Sequence, residues 1–231
     1  IRITGSDVNH IKNVLRIMQG EEMLVSDGTG RDYLCQAEEI AGQEVTVRIL
    51  ETEEEGRELP SRIWLFQGLP KSDKMEFIIQ KAVELGASEI VPVSSRRCVV
   101  RLDRKKAEHK VSRWNGVAAS AAKQSKRMIV PGVHEVMGFR EALEYAGNMD
   151  VRLIPYEKAE GMAAARELLS GIRAGQSVAV FIGPEGGFEE EEIEEARAGG
   201  FLPVSLGKRI LRTVTAGMTA LSILMYLLEQ D

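Results

Sequence analysis

An apolar segment that runs directly into a glycine-rich turn is the feature that most restricts how this chain folds. Residues 178–182 are all apolar, and residues 183–187 read Gly-Pro-Glu-Gly-Gly. The next segment is strongly acidic, with six glutamates among residues 189–195. A strand that ends in glycines and leads into a helix is typical of units that bind a ligand at the strand's carboxyl end. The pattern predicts an α/β domain with such a ligand loop, and a tight turn without a ligand is the alternative.

The glycine turn does not match the common nucleotide-binding motifs. It has neither the GxGxxG spacing nor a GK[ST] ending, so a dinucleotide or P-loop phosphate site is disfavoured. Glutamates in a first helical turn stabilise the helix dipole, but they repel a phosphate placed at that helix end. A neutral or cationic ligand is therefore favoured, and S-adenosylmethionine, which carries a sulfonium cation, meets this requirement where ATP does not.

The rest of the chain divides into two kinds of sequence. From residue 59 onward, strand and helix patterns alternate, which predicts an α/β domain with a mainly parallel sheet. Residues 1–58 predict a small β-rich module with a hairpin around Asp-Gly-Thr-Gly at residues 27–30. The polar segment 51–61 predicts the boundary, which gives domains at 1–58 and 59–231. In the first module, a helix is expected with one apolar face formed by Ile11, Val14, Leu15 and Met18.

Charge is distributed unevenly along the chain. The whole sequence carries a net charge of −5. Residues 96–127, in contrast, contain eleven lysines or arginines against two acids, a local charge of +9. Such polarity favours one basic surface that binds a polyanion such as RNA, and a solvated helix face is the alternative.

Composition disfavours membrane and metal functions. No apolar run approaches the roughly 20 residues that a membrane helix needs. The two cysteines, Cys35 and Cys98, lie in unrelated segments, and the three histidines are scattered, so no metal site is expected. Unpaired thiols are typical of a reducing cytosol, and a cytoplasmic location is expected.

Longer segments resemble the 16S ribosomal RNA uracil-N3-methyltransferases, a family of the SPOUT class. The signature segments are FIGPEGGF at residues 181–188 and VSLGKRILR at residues 204–212, followed by Thr215 and Ala216. The similarity continues in KSDKMEFIIQKAVELGASEIVPV, RWNGVAASAAKQSKRMIVPGV and HIKNVLRIMQGEEMLVSDGTG. Together these segments cover most of the chain. One residue departs from the family pattern, because Val214 stands where LRTETA has an acid.

The resemblance implies a fold and partners that the patterns alone do not. The fold is a SPOUT-type domain with a deep trefoil knot, plus a PUA-like RNA-binding β-barrel at the N-terminus. The cofactor is S-adenosylmethionine, and the substrate is 16S rRNA in the small ribosomal subunit. The apolar helix that ends the chain is expected to form a homodimer.

Combined with the predicted ligand loops, the resemblance implies roles for individual residues. Arg212 is expected to stabilise the uracil anion and Glu185 to act on the ligand, while a structural role is the alternative for Arg212. Cofactor contacts are expected for Pro155, Tyr156, Ile182, Gly183, Pro184, Glu185, Gly186, Leu206, Gly207, Ile210, Leu211, Arg212 and Thr215. RNA contacts are expected for Lys12, Arg16, Arg96, Arg97, Gln124 and Arg127.

Two questions stay open at this stage. The general base is Glu185, a water molecule, or no group at all if uracil ionises in a cationic pocket. The second question is catalysis itself, because the residue at 214 also fits a non-catalytic RNA-binding or ribosome-assembly factor that kept the fold. An enzyme acting on a small molecule is disfavoured by the basic segment and the β-rich module.

Overall fold

The computed structural model describes residues 1–53, 56–159 and 161–229, which form two compact units. The first unit contains residues 1–58 and 126–130, and the second contains residues 59–125 and 131–231. The chain therefore leaves the second unit for five residues and returns to it. The sequence pattern did not indicate this excursion.

The first unit is built on a four-stranded antiparallel sheet. Its strands, in the order β1-β4-β3-β2, are β1 (Arg2–Thr4), β2 (Glu22–Ser26), β3 (Asp32–Ile40) and β4 (Glu44–Glu53). The predicted hairpin is confirmed, since β2 and β3 pair from Glu22 opposite Gln36 to Ser26 opposite Asp32. In its turn, the Asp27 carboxylate accepts hydrogen bonds from the backbone N–H groups of Thr29 (2.8 Å) and Arg31 (3.2 Å).

The predicted amphipathic helix in this unit is wrong in its apolar face. The helix α1 (Ser6–Asn9) continues as a π-helical turn, His10–Leu15. Ile11 is buried, whereas Val14, Leu15 and Met18 are 62%, 52% and 66% exposed. A π-helical turn closes its hydrogen bonds over five residues instead of four. Residues that would share one face of an α-helix therefore diverge here.

The carboxylate of Glu58 holds residues 126–130 within the first unit. Glu58 accepts hydrogen bonds from the guanidinium of Arg127, with Nε 3.0 Å from Oε2. It also accepts from the backbone N–H groups of Met128 (3.1 Å) and Ile129 (3.2 Å). Arg127 is only 8% exposed, so this pair is an internal anchor of the unit.

The second unit alternates strands and helices around a parallel sheet. The strands run in the order β11-β9-β10-β5-β6-β7, and β8 also pairs with β6; all of these pairings are parallel. The strands are β5 (Arg62–Gly68), β6 (Glu89–Ser94), β7 (Gly132–Val133), β8 (Met137–Gly138), β9 (Val151–Pro155), β10 (Ser177–Ile182) and β11 (Leu202–Val204). The helices are α2 (Lys74–Glu84), α3 (Arg104–Gln124), α4 (Phe139–Ala146), α5 (Met162–Ser170), α6 (Glu190–Ala198) and α7 (Thr213–Leu228).

Apolar side chains on both faces of the sheet account for this layered arrangement. Along β5, Ile63 and Leu65 enter a cluster with residues of α2, α3, α5 and α7, whereas Trp64 and Phe66 enter a second cluster with residues of α4 and α6. Successive side chains of a strand point to opposite faces, so the sheet has helices on both sides. The predicted α/β class with a mainly parallel sheet is confirmed.

The last helix, α7, is buried on one face only. Gly217, Ala220, Leu221, Leu224 and Leu228 are buried within the unit. On the other face, Tyr226 is 83% exposed and Leu227 is 42% exposed. Among the described residues, no helix has the combined length and apolar character that crossing a membrane requires.

Candidate active site

Four loops follow neighbouring parallel strands and therefore lie at the same edge of the sheet. We name them by the strand or motif that precedes them: the β5 loop (69–73), the β9 loop (156–159), the glycine loop (183–189) and the β11 loop (205–212). The order β11-β9-β10-β5 places their strands side by side. The predicted cofactor residues fall in these loops, at the strand ends that precede them, and in the first turn of α7.

Direct contacts tie these loops to the neighbouring strands and to α7. The backbone N–H of Tyr156 donates to the carbonyl of Val204 (3.0 Å), which ties the β9 loop to the β11 strand. The Thr213 hydroxyl donates to the carbonyl of Gly183 (2.6 Å). A Cβ atom built on Gly68 would lie 2.6 Å from the backbone nitrogen of Pro184. Only glycine at position 68 permits this close approach between the β5 strand end and the glycine loop.

The glycines play two different parts in the loops. A Cβ on Gly183 would lie 3.0 Å from the backbone of Gly187, and a Cβ on Gly186 would lie 3.2 Å from the Arg97 side chain. A side chain at either position would therefore crowd its neighbours within the protein itself. Gly187 (φ +68°) and Gly207 (φ +125°) have left-handed backbones, and a Cβ there would meet nothing within 4 Å. Open space beside the backbone at these positions fits the close approach of a ligand.

Glu185 anchors the glycine loop to the β5 loop. Its carboxylate accepts hydrogen bonds from Lys74 Nζ (2.6 Å) and from the backbone N–H of Lys71 (3.1 and 3.3 Å). Burial of the carboxyl opposes ionisation, but the hydrogen bonds from Lys74 and the backbone outweigh it, and the pKa of Glu185 is lowered. A carboxylate held in this way is a weak base, so the contacts favour a positioning role.

The acidic segment is compensated by cations from other elements. Arg97 binds Glu189 (2.8 Å), Arg96 binds Glu191, and Lys158 binds Glu190. The hydrogen bond from Arg97 lowers the pKa of Glu189. These contacts reduce the free negative charge at this helix, which was the basis for expecting a neutral or cationic ligand. Sequence alone could not reveal the pairing, because the two arginines lie more than 90 residues upstream.

The basic residues Arg96 and Arg97 therefore have structural partners of their own. The backbone N–H of Arg96 donates to Glu192 (2.9 Å), a carboxylate that is 2% exposed. Arg97 also donates to the carbonyl of Gly186 (2.9 Å). Both arginines hold the acidic helix and the glycine loop in place, and their side chains remain partly exposed (55% and 42%).

The other residues predicted to contact RNA differ in exposure and in their hydrogen-bond partners. Gln124, at the end of α3, and Arg16, with a left-handed backbone (φ +56°), are exposed. Lys12 donates to the carbonyl of Ala41 (3.0 Å). Arg127, in contrast, is buried against Glu58. As placed in this structure, its guanidinium is not available to a phosphate, because that carboxylate already occupies it.

Arg212 stands at the junction of the β11 loop and α7. It is the N-cap residue of α7, its side chain is exposed, and its carbonyl accepts from the N–H of Ala216 (2.8 Å). The adjacent Thr213 is bound to Gly183, so Arg212 lies next to the base of the glycine loop. Val214 is half-buried and packs against the larger apolar cluster. A pair of buried residues that sequence reasoning missed, Gln67 and Thr213, lies directly beneath this junction.

The apolar residues among the predicted cofactor contacts differ in burial. Pro155 and Leu206 line a small apolar cavity together with side chains of β9, β10, β11 and α7. Leu211 is half-buried, whereas Ile210 is 86% exposed. Thr215 is exposed in the first turn of α7. Within the ranges 1–53, 56–159 and 161–229, no cluster of side chains could hold a metal ion.

Two protein-family models match separate parts of the chain. Residues 57–225 match the model of an RNA methyltransferase domain, and residues 3–50 match that of an RNA methyltransferase PUA domain. The chain is 38% identical to ribosomal RNA small subunit methyltransferase E of Bacillus subtilis (strain 168), over 98% of this chain and 90% of that protein.

Two solved structures resemble the chain closely. One is a ribosomal RNA small subunit methyltransferase E from Neisseria gonorrhoeae bound to S-adenosyl methionine, with a TM-score of 0.85, 34% identity and coverage of 98% and 91% of the two chains. The other is a putative methyltransferase from Legionella pneumophila with bound cofactor SAM, with a TM-score of 0.84, 33% identity and the same coverage. Since a single family model spans most of the chain and its relatives align over nearly all of it, the chain belongs to the family of RNA methyltransferases that join this domain to a PUA domain.

Proposed function

We propose that the protein transfers the methyl group of S-adenosylmethionine to N3 of a uridine in 16S rRNA of the small ribosomal subunit. The observation that carries the proposal is the meeting of four strand-end loops at one edge of the parallel sheet. Relatives of the same family have been solved with the cofactor in place. The choice of uracil N3 rests on the resemblance of the loop sequences.

The loops fit an adenosyl ligand. Open space beside Gly187 and Gly207 lets their backbone groups reach a ligand, and the apolar side chains of Pro155 and Leu206 lie at the base of the same loops. Cofactor sites combine such apolar walls with a few polar groups. When bound, S-adenosylmethionine supplies an electrophilic methyl group on its sulfonium sulfur. The predicted cofactor residues of the β9, glycine and β11 loops are the ones that would hold it.

Arg212 is the residue we assign to the uracil. Uracil N3 becomes a good nucleophile only after its proton leaves, and the charge then spreads over the two neighbouring carbonyl oxygens. An exposed guanidinium beside the glycine loop can donate to one of these oxygens, which lowers the N3 pKa and stabilises the anion. Because Glu185 is bound to Lys74, we assign the proton to water and assign Glu185 to loop positioning.

The RNA contacts are proposed for the exposed basic side chains of the second unit and for Lys12 and Arg16 of the first. On α3, the side chains of Arg104, Lys106 and Arg113 are 94%, 72% and 61% exposed. Their ion pairs with Glu108, Asp103 and Glu76 lie near the surface, where such pairs contribute little and exchange readily for phosphate. Arg96 and Arg97 can reach a phosphate only by sharing or leaving their glutamates.

The knot, the barrel, the cellular location and the oligomeric state are part of the same proposal. The resemblance supports a deep trefoil knot in the second unit, closure of the N-terminal sheet into a barrel, and a cytoplasmic location. For the homodimer through α7, additional support comes from its uncovered face, where Tyr226 is 83% exposed. An exposed apolar stripe of this kind is typical of an interface.

Labelled methyl transfer is the experiment that tests the proposal. Undermodified small subunits, incubated with the protein and labelled S-adenosylmethionine, should gain label on a single uridine, and mapping by mass spectrometry should place it at N3. Label on a ribose or on another base would contradict the proposed acceptor. Binding of S-adenosylmethionine without any transfer would favour the assembly-factor alternative, for which the residue at position 214 is the supporting observation.

A further inference from the structure

A buried chain of hydrogen bonds links the end of β5, the start of α7 and the glycine loop. Gln67 is fully buried and Thr213 is 5% exposed. The Gln67 side-chain amide Nε2 donates to the Thr213 hydroxyl (2.9 Å) and to the carbonyl of Gly68 (2.9 Å). The Thr213 hydroxyl in turn donates its single proton to the carbonyl of Gly183 (2.6 Å).

The direction of this chain is fixed by chemistry. Both end groups are backbone carbonyls, which only accept, so each intermediate group must donate toward them. Gln67 supplies two N–H donors, and Thr213 accepts one and donates one. Neither an ionised glutamate at 67 nor a valine at 213 can complete the chain, although each has nearly the same shape as the native residue.

We propose that Gln67 and Thr213 are positioning residues that hold the glycine loop in register with Arg212. The inference rests on the proposed function. Gly183 opens the glycine loop, and Arg212 precedes Thr213 directly, so a single hydroxyl sets the distance between the proposed cofactor loop and the residue assigned to uracil. The close approach of Gly68 to Pro184 restricts the position of the glycine loop on the side of β5. The Thr213 hydroxyl restricts its position on the side of α7.

The test compares Thr213→Val, which keeps the shape and removes the hydroxyl, with Thr213→Ser, which keeps the hydroxyl. Ile63→Ala, at the opposite end of β5 and fully buried, is a control for loss of stability without loss of the chain. For each folded variant, calorimetry gives the affinity for S-adenosylmethionine, labelled transfer gives kcat and KM, and thermal unfolding gives stability.

We expect Thr213→Val to lower kcat/KM for methyl transfer by about tenfold or more, equivalent to about 1.4 kcal/mol. Thr213→Ser and Ile63→Ala should remain within about threefold of the wild type, the latter despite its lower melting temperature. Gln67→Met should cause a smaller loss in the same direction, because it removes the amide that orients the Thr213 hydroxyl but leaves that hydroxyl able to donate to the Gly183 carbonyl.

Three outcomes would overturn the inference. If Thr213→Val and Thr213→Ser had the same kcat/KM for methyl transfer, the hydroxyl would have no positioning role. A loss in Ile63→Ala as large as that in Thr213→Val would make the effect one of stability alone. Both results leave the proposed function intact, whereas a wild-type chain that neither binds S-adenosylmethionine nor transfers label would refute that function together with the inference.

Discussion

Val214 packs half-buried against the same apolar cluster as Leu221 and Leu224 of α7. A glutamate at this position has to turn toward solvent or lie against apolar side chains, so we expect it to adjust the first turn of α7 without supplying an essential base. Val214→Glu should change the methyl-transfer rate by no more than about tenfold, or about 1.4 kcal/mol. Arg212→Ala should cost much more. A silent wild type that Val214→Glu activates would instead favour the assembly-factor alternative.

The lowered pKa of Glu185 predicts that the stability of the folded protein depends on pH. The Glu185 carboxyl has a lowered pKa in the folded chain, against an ordinary value of 4.5. A depressed folded pKa contributes stability that is present above the unfolded pKa and is lost as the pH falls through the folded one. Glu185→Gln should therefore lower the melting temperature at pH 7 and have a smaller effect below about pH 4. A difference between the two proteins that is constant with pH would contradict the ionic role.

At the scale of elements, the acidic helix α6 depends on partners in other loops. Arg97 holds both the Gly186 carbonyl and the Glu189 carboxylate. Arg97→Ala should therefore loosen the glycine loop and weaken S-adenosylmethionine binding by about three- to tenfold, the equivalent of one net hydrogen bond. Arg166→Ala, which removes an exposed arginine of α5, is the matched control. If Arg97→Ala binds S-adenosylmethionine as tightly as the wild type, Arg97 does not position the glycine loop. Only its proposed contact with RNA would then remain.

Periodicity was a sound guide to the elements that bury one regular face or both. Apolar patterning in this sense located the strand at residues 178–182 and the helix that ends the chain. It failed at residues 10–15, where π-helical spacing replaces α-helical spacing. It also could not reveal Gln67 and Thr213, because one polar residue in an apolar strand and one at a helix start identify no partner until the fold brings them together.

At the scale of the whole molecule, α3 carries the proposed electrostatic attraction for RNA. The triple substitution Arg104→Ala, Lys105→Ala and Lys110→Ala should reduce the salt dependence of RNA affinity, by about 0.7–0.9 in the slope for each phosphate that the helix no longer neutralises. Affinity for S-adenosylmethionine should stay unchanged, and Arg166→Ala again serves as the control. A slope equal to that of the wild type would mean that α3 is only a solvated face.

The five residues 126–130 make the first unit discontinuous in sequence. Recombination that exchanges only the first 58 codons between two relatives therefore replaces Glu58 but keeps its partner Arg127. In the resulting chimera, residue 58 comes from one parent and its partner, residue 127, comes from the other. Residues 58 and 127 should then be inherited as a pair, and a library of chimeras should yield more folded members when both segments come from the same parent. The N-terminal module is therefore expected to be exchanged more successfully as two segments than as one.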